Sequence, residues 1–277
     1  MKVFYTPKML ADSESFSPSA SKPEWVVKSW LAKGFTIDLI EPVPVTLTQL
    51  YRAHKRDYVD GILACRIANG FDNRSKAVAE SLIYTSGAML AAAQEAILSG
   101  SVACAPVAGF HHACWNKAED YCTFNGLMVS ALDLLDTGAA KKVGILDCDN
   151  HYGNGTDDII DNVCDDNQII HFTTGKQRYQ ADSFLSTLAD RIKSLYSTCS
   201  ILLYQAGADP HIDDPLGGWM TTEQLFERDT IVFRTAREMK LPVAWNLAGG
   251  YQRDENGEIL PVLQIHDNTM KACLLYY

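Results

Sequence analysis

Val143-Gly144-Ile145-Leu146-Asp147-Cys148-Asp149-Asn150-His151-Tyr152-Gly153-Asn154-Gly155-Thr156 changes character halfway, from an apolar run to a cluster of Asp, His, Asn and Gly. The apolar half reads as a short strand over 142–147. The same change occurs three more times. An apolar run at 102–106 leads into Gly109-Phe110-His111-His112, and a run at 243–247 leads into Ala248-Gly249-Gly250-Tyr251. A run at 201–205 leads into Ala206-Gly207-Ala208-Asp209-Pro210-His211-Ile212-Asp213-Asp214-Pro215-Leu216-Gly217-Gly218. Strands are further predicted over 3–5, 36–40 and 168–172.

Between these runs the spacing of apolar residues predicts helices over 24–32, 47–54, 58–68, 77–98, 126–136, 183–196 and 222–239. Thr221-Thr222-Glu223-Gln224 ahead of Leu225 and Phe226 reads as a helix entry. Strands alternating with helices of this length predict an α/β fold with a mostly parallel central sheet and helices on both faces. Neither a break in composition nor an internal repeat divides the chain, so 1–277 reads as one catalytic domain, with irregular loops at 13–21 and 69–75. In such sheets ligands bind outside the carboxyl ends of the strands. The four motifs sit at that end.

Composition narrows the field. Lys and Arg number 24 against 34 Asp and Glu, a net charge of −10 that argues against a nucleic-acid partner, which needs a basic face. Every apolar run falls short of a membrane span, so a membrane partner is not expected. The first residues read as a strand rather than a signal peptide. The eight cysteines contain no Cys-x-x-Cys pair, and several lie in apolar runs. This usage suits reduced thiols acting as small hydrophobes, and a cytoplasmic protein. Oligomeric state is not encoded in any of these features.

Each motif has an ordinary structural explanation. A strand-end Asp commonly caps a helix or forms a turn, Gly-Gly-Tyr can be a turn under an aromatic ring, and paired His residues often bracket a loop. Their joint chemistry is specific. A catalytic divalent metal takes three protein ligands and leaves one position open for water. Asp149 and His151, two apart, point the same way on an extended segment, and Asp209 from another strand end closes a triad. His111 and His112 offer acid–base capacity near neutral pH, and Tyr251 offers a phenolic donor to an oxyanion. These are the parts of an amide hydrolase.

In content and order the motifs resemble the zinc-dependent histone deacetylase family, especially its class II-like and bacterial members, with the arginase/deacetylase fold. The resemblance runs from about Ala53 to Tyr277. It rests on Gly109–Ala113, Tyr121-Cys122-Thr123-Phe124-Asn125, Asp147–Thr156, Ala206–Gly218 and Gly249-Gly250-Tyr251. It implies Asp149, His151 and Asp209 as ligands of one Zn2+, a set that iron(II) or cobalt also suits. It implies His112 as general base and acid, His111 as its electrostatic partner, Asp147 and Asn154 as orienting partners of the two imidazoles, and Tyr251 as carbonyl polariser. Its implied reaction removes an acetyl or other acyl group from an amine such as acyl-lysine.

The departures bear on substrate and ions. Tyr152 replaces a second histidine after the ligand. Asp120 replaces the glycine before the aromatic wall residue, Tyr121, and the family's Pro-Gly-Thr-Gly loop is missing from 173–183, leaving Arg178 or Tyr179 as candidates for the opposite wall. Ile169 stands where relatives place a serine that helps hold potassium, which argues against that ion. Asp72 resembles a rim carboxylate that grips substrate, and Leu216 is the neutral residue after Asp214-Pro215. Polyamine specialists carry a glutamate gatekeeper, so Leu216 favours a general acyl-amine substrate. Acetylpolyamine hydrolysis stays as the alternative, because Asp72, Asp120 or Asp213 can supply negative charge. A binuclear site of the ureohydrolase kind, with His211 and Asp214, lacks its bridging acid because Gly153 stands there. A catalytically silent acyl-ligand binder would have lost one of the six principal groups. His54, His171 and His266 have no partner motif and read as structural.

Overall fold

The computed structural model describes residues 1–164 and 167–277. Among these residues seven strands form one all-parallel sheet: β1 (Lys2–Phe4), β2 (Asp38–Ile40), β3 (Val102–Ala108), β4 (Val143–Asp147), β5 (Ile169–Thr173), β6 (Ile201–Gly207) and β7 (Val243–Ala248), ordered β2-β1-β3-β7-β6-β4-β5. All seven predicted strands are present. The four motif-bearing strands, β3, β7, β6 and β4, are consecutive in this order. Their carboxyl ends therefore share one edge of the molecule.

The helices are α1 (Lys22–Ala32), α2 (Leu47–Ala53), α3 (Arg56–Leu63), α4 (Lys76–Ser99), α5 (Gly126–Asp136), α6 (Asn154–Val163), α7 (Ala181–Tyr196), α8 (Thr222–Glu238) and α9 (Leu260–Leu274). α1, α7, α8 and α9 cover one face of the sheet, and α2 to α6 cover the other. Strand residues alternate between the two layers. In β6, Leu202, Tyr204 and Ala206 join the first core while Ile201 and Leu203 join the second. That period of two is what buries both faces of a parallel sheet.

Local chemistry sets the helix ends. Thr221 opens α8 with a capping box to Gln224, and Ser75 Oγ caps α4 at Val78 N–H, while Gly100 at φ +60° closes it. α3 stops earlier than its apolar pattern predicts, because Cys65 takes φ +55° and the chain folds back. Two helices, α6 and α9, were not predicted. α6 buries only Gly155, Thr156 and Ile159, so its apolar signal is short, and α9 begins with Pro261 at its first turn. Among the described residues, no helix is long and apolar enough to cross a membrane.

Candidate active site

At the end of β4, Asp149 N–H donates to Asp147 Oδ1 (3.1 Å) and His151 N–H to Asp149 Oδ1 (3.0 Å). These successive side-chain turns aim Asp149 and His151 at the same point. Asp209 lies just past β6, the neighbouring strand, and its Oδ1 accepts from Asn150 N–H (3.2 Å). A ligand atom from each of Asp149, His151 and Asp209 falls within 4.8 Å of the other two. His151 Nδ1 is 3.2 Å from Asp149 Oδ1 and 2.8 Å from Asp209 Oδ2. Asp209 Oδ2 is buried without hydrogen-bond geometry to any partner, as fits an oxygen aimed at a common centre. Burial and the neighbouring Asp149 charge push the Asp209 carboxyl up to about 7. A divalent cation relieves both effects, so one nitrogen and two carboxylates here fit such an ion.

β3 delivers the histidine pair through Gly109, whose φ of +61° turns the chain. His111 Nδ1 donates to Asp147 Oδ2 (2.7 Å), and His111 Nε2 lies 3.6 Å from Asp149 Oδ1. Burial works to lower the His111 pKa, but the Asp147 and Asp149 charges carry it up to about 9. His112 is different. Its Nδ1 meets Asn154 Oδ1 at 2.6 Å, and Asn154 Nδ2 donates to Glu119 Oε2 (3.0 Å). Glu119 thus fixes which way the Asn154 amide points, so His112 Nδ1 is the donor and Nε2 is left as acceptor. Burial and the His111 charge lower the His112 pKa. One imidazole is held charged and its neighbour neutral, with ring centroids 4.0 Å apart.

Tyr251 follows β7 through Gly249 (φ +50°) and Gly250 (φ +86°), and its N–H donates to Asp214 Oδ2 (2.8 Å). A Cβ on Gly249 would run into the Asp209 carboxylate. Burial raises the Tyr251 pKa far above its ordinary value, so the phenol keeps its proton. His111, His112, Asp149, His151 and Tyr251 line one small pocket together with Ser19, Asp120 and Tyr121. Asp120 (φ +43°) and Tyr121 (φ +67°) are consecutive non-glycine residues in the left-handed region. Such strain persists only where the surroundings impose it, and Tyr121 N–H is tied to Gly70 O (2.8 Å).

Other expected residues fall outside this pocket. Asp72 is exposed on a turn at φ +58°, and Leu216, 40 % exposed, accepts at its carbonyl from Asn150 Nδ2 (3.4 Å). Tyr179 packs against Phe184 and Trp219, and Arg178 lines a separate groove with Trp219. His211 Nε2 is paired with Thr222 Oγ1 (2.9 Å) and Asp214 with Tyr251 and Leu216 N–H groups, which occupies both candidates for a second metal. The Asp149 carbonyl accepts from Thr174 Oγ1 (2.5 Å), whereas Ile169 lies opposite Val143, at the other end of the β4–β5 pair from Asp147 and Thr173.

Several supporting groups were not read from the sequence. Gln205 Nε2 donates to Asp147 Oδ1 (3.0 Å) while its Oε1 accepts from Phe110 N–H (3.0 Å). Its signal was a polar residue inside an apolar strand. Arg228 Nη1 donates to Cys148 O (3.1 Å) and Gly207 O (2.8 Å), clamping the two strand ends that carry Asp149, His151 and Asp209. Lys22 is fully buried and its Nζ donates to Gly249 O. Burial pulls its pKa down to about 8, against the attraction of Asp209, Asp149 and Asp214. His171, read as structural, joins Asp157 (2.7 Å) and approaches Asp147 Oδ2 at 3.9 Å.

The family model for the histone deacetylase domain matches residues 20–176, more than half of the chain. The chain belongs to the histone deacetylase family. Relatives of the chain include an uncharacterized protein of Picosynechococcus, 27% identical over 80% of this chain and 78% of its own. Acetylpolyamine amidohydrolase 2 of Pseudomonas aeruginosa is 31% identical over 57% of this chain and 45% of its own. Histone deacetylase 8 of Arabidopsis thaliana is 28% identical over 41% and 32%. The chain thus spans less than half the length of these two named relatives. The HDA15 HD domain superposes with a TM-score of 0.78 at 18% identity, covering 99% of this chain and 90% of that one, which shows the shared fold. Asp149, His151 and Asp209 form a group that could hold a metal ion.

Proposed function

We propose that this histone deacetylase homologue is a one-domain, zinc-dependent amide hydrolase that removes an acetyl or other acyl group from an amine such as acyl-lysine. One observation carries the reading: the unequal histidine pair, the Asp149-His151-Asp209 group and the Tyr251 phenol converge on a single pocket. A divalent ion held by the three ligands supplies a Lewis acid and a water whose pKa falls toward neutrality. His112 Nε2, kept unprotonated by its Nδ1–H bond to Asn154, accepts the proton as the water oxygen adds to the acyl carbon. Tyr251 donates its hydroxyl proton in a hydrogen bond to the oxygen that becomes negative. His111, charged by Asp147, opposes a second positive charge on His112 and so favours passing that proton onward. The C–N bond then breaks, the amine nitrogen takes the proton from His112, and the carboxylate is the other product.

A second reading has its own support. Asp120 lines the pocket beside Tyr121, where a carboxylate attracts a cationic substrate, and two Pseudomonas aeruginosa relatives are named as acetylpolyamine amidohydrolases. The test is hydrolysis of a fluorogenic acetyl-lysine amide and of acetylspermidine by zinc-loaded and by chelator-treated protein. Metal-dependent cleavage of the lysine amide supports the general deacylase, and cleavage of acetylspermidine alone supports the polyamine reading. Equal rates with and without metal would sink both.

A further inference from the structure

Residues 10–21 have no regular backbone pattern, yet they are pinned at several points. Asn73 Nδ2 donates to Ser13 O (2.8 Å), and Arg253 Nη2 donates to Phe16 O (3.2 Å). The Arg253 guanidinium also sits 5.9 Å from the Phe16 ring centroid, and its Nη1 is anchored on Gly257 O (2.8 Å). Phe16 nevertheless stays 54% exposed. Its ring lies nearly parallel to that of Tyr251, at 15° and 6.4 Å between centroids. Tyr121 approaches the same Tyr251 ring at 5.8 Å, and Phe71 continues from Tyr121 at 5.8 Å. A large aromatic side chain left half in water contributes little to the core; this one is held in place against the residue that faces the acyl oxygen.

We propose that Phe16 is a specificity-determining wall of the entrance, and that with Tyr121 it packs along the unbranched methylene arm of the acylated amine. This rests on the deacylase reading above. Tyr179, from the segment 173–183, packs instead against Phe184 and Trp219. Flat apolar faces pack along a methylene chain and gain contact with each carbon that passes them. A ligand reaching only the metal group would not touch Phe16.

The two cases separate by calorimetry on metal-loaded full-length protein, using acetohydroxamate as the short probe and octanohydroxamate as the long one. Phe16→Ala is expected to weaken octanohydroxamate by about tenfold and leave acetohydroxamate unchanged, the scale of one lost aromatic contact. Phe16→Tyr should bind both as the parent does, and Arg253→Gln, which unhooks the loop, should weaken the long probe alone. With the acetyl-lysine amide, Phe16→Ala should raise KM and spare kcat. Equal weakening of both probes would make Phe16 a mere brace for Tyr251, and no change in either would remove it from the entrance. Failure of both hydroxamates to bind the metal-loaded parent would overturn the deacylase reading and the wall with it.

Discussion

Replacing Tyr251 by Phe removes one oxygen and little else: the backbone N–H stays on Asp214, and the ring still packs against Phe16 and Tyr121. Metal content should be unchanged while turnover falls by roughly 100-fold or more, the usual scale for one oxyanion donor. Turnover within a few-fold of the parent, with metal confirmed by elemental analysis, would take Tyr251 out of the mechanism. Asp209→Ala acts on the other half of the site. It deletes one of three ligands, so the purified variant should hold almost no metal; parental occupancy would place the third ligand elsewhere. Both residues were legible because short motifs at strand ends put them in reach of each other. Phe16 and Lys22 were not, since nothing in their local sequence indicates that residues more than 200 positions away will receive them.

At the scale of elements, α8 both covers the sheet and holds its edge. Arg228 reaches from α8 to the carbonyls of Cys148 and Gly207, and its Nε pairs with Asp229 (2.8 Å), which also accepts from Tyr204 and Thr269 hydroxyls. Arg228→Met would leave Asp229 buried without its cation, a loss of about 3 kcal/mol. It should also loosen the two ligand-bearing ends and weaken metal binding by roughly tenfold, as outer partners of metal ligands do. Urea unfolding of the metal-free protein and a chelator competition measure the two effects separately. A stability loss with parental metal affinity would confine Arg228 to packing. The spacing of apolar residues announced α8 correctly; burial of Arg228 and Asp229 depends on what the strand ends offer. α6 and α9 escaped notice for the opposite reason, their buried faces being too short or too mixed to show a period.

For the whole molecule, the buried neutral histidines set a limit on acid stability. His54 joins three segments: its Nδ1 meets Cys114 O (2.9 Å), and its Nε2 accepts from Asn125 N–H (2.9 Å) at the start of α5. Burial holds its pKa down at about 4, against 6.5 for the ordinary group. The unfolded chain therefore binds the extra proton between those values. Stability from this group is complete above about pH 6.5 and declines as pH falls toward 4, by a total of about 3 kcal/mol. His266, whose pKa burial also lowers, adds in the same direction. Urea unfolding across that window should show the decline, and His54→Gln should flatten it by one proton's share; an unchanged slope would mean that other groups carry it. By itself the sequence determined the α/β class, all seven strands, and the strand ends that bear Asp149, His151, Asp209, His111, His112 and Tyr251, because a short apolar run and the polar break after it are local properties of the chain. Only the tertiary structure decided that β3, β7, β6 and β4 lie side by side, that Gln205 and Arg228 fasten their ends, and that the loop of Phe16 reaches Tyr251. Periodicity records that a face will be buried, whereas the partner that buries it is chosen by the packing of the whole chain.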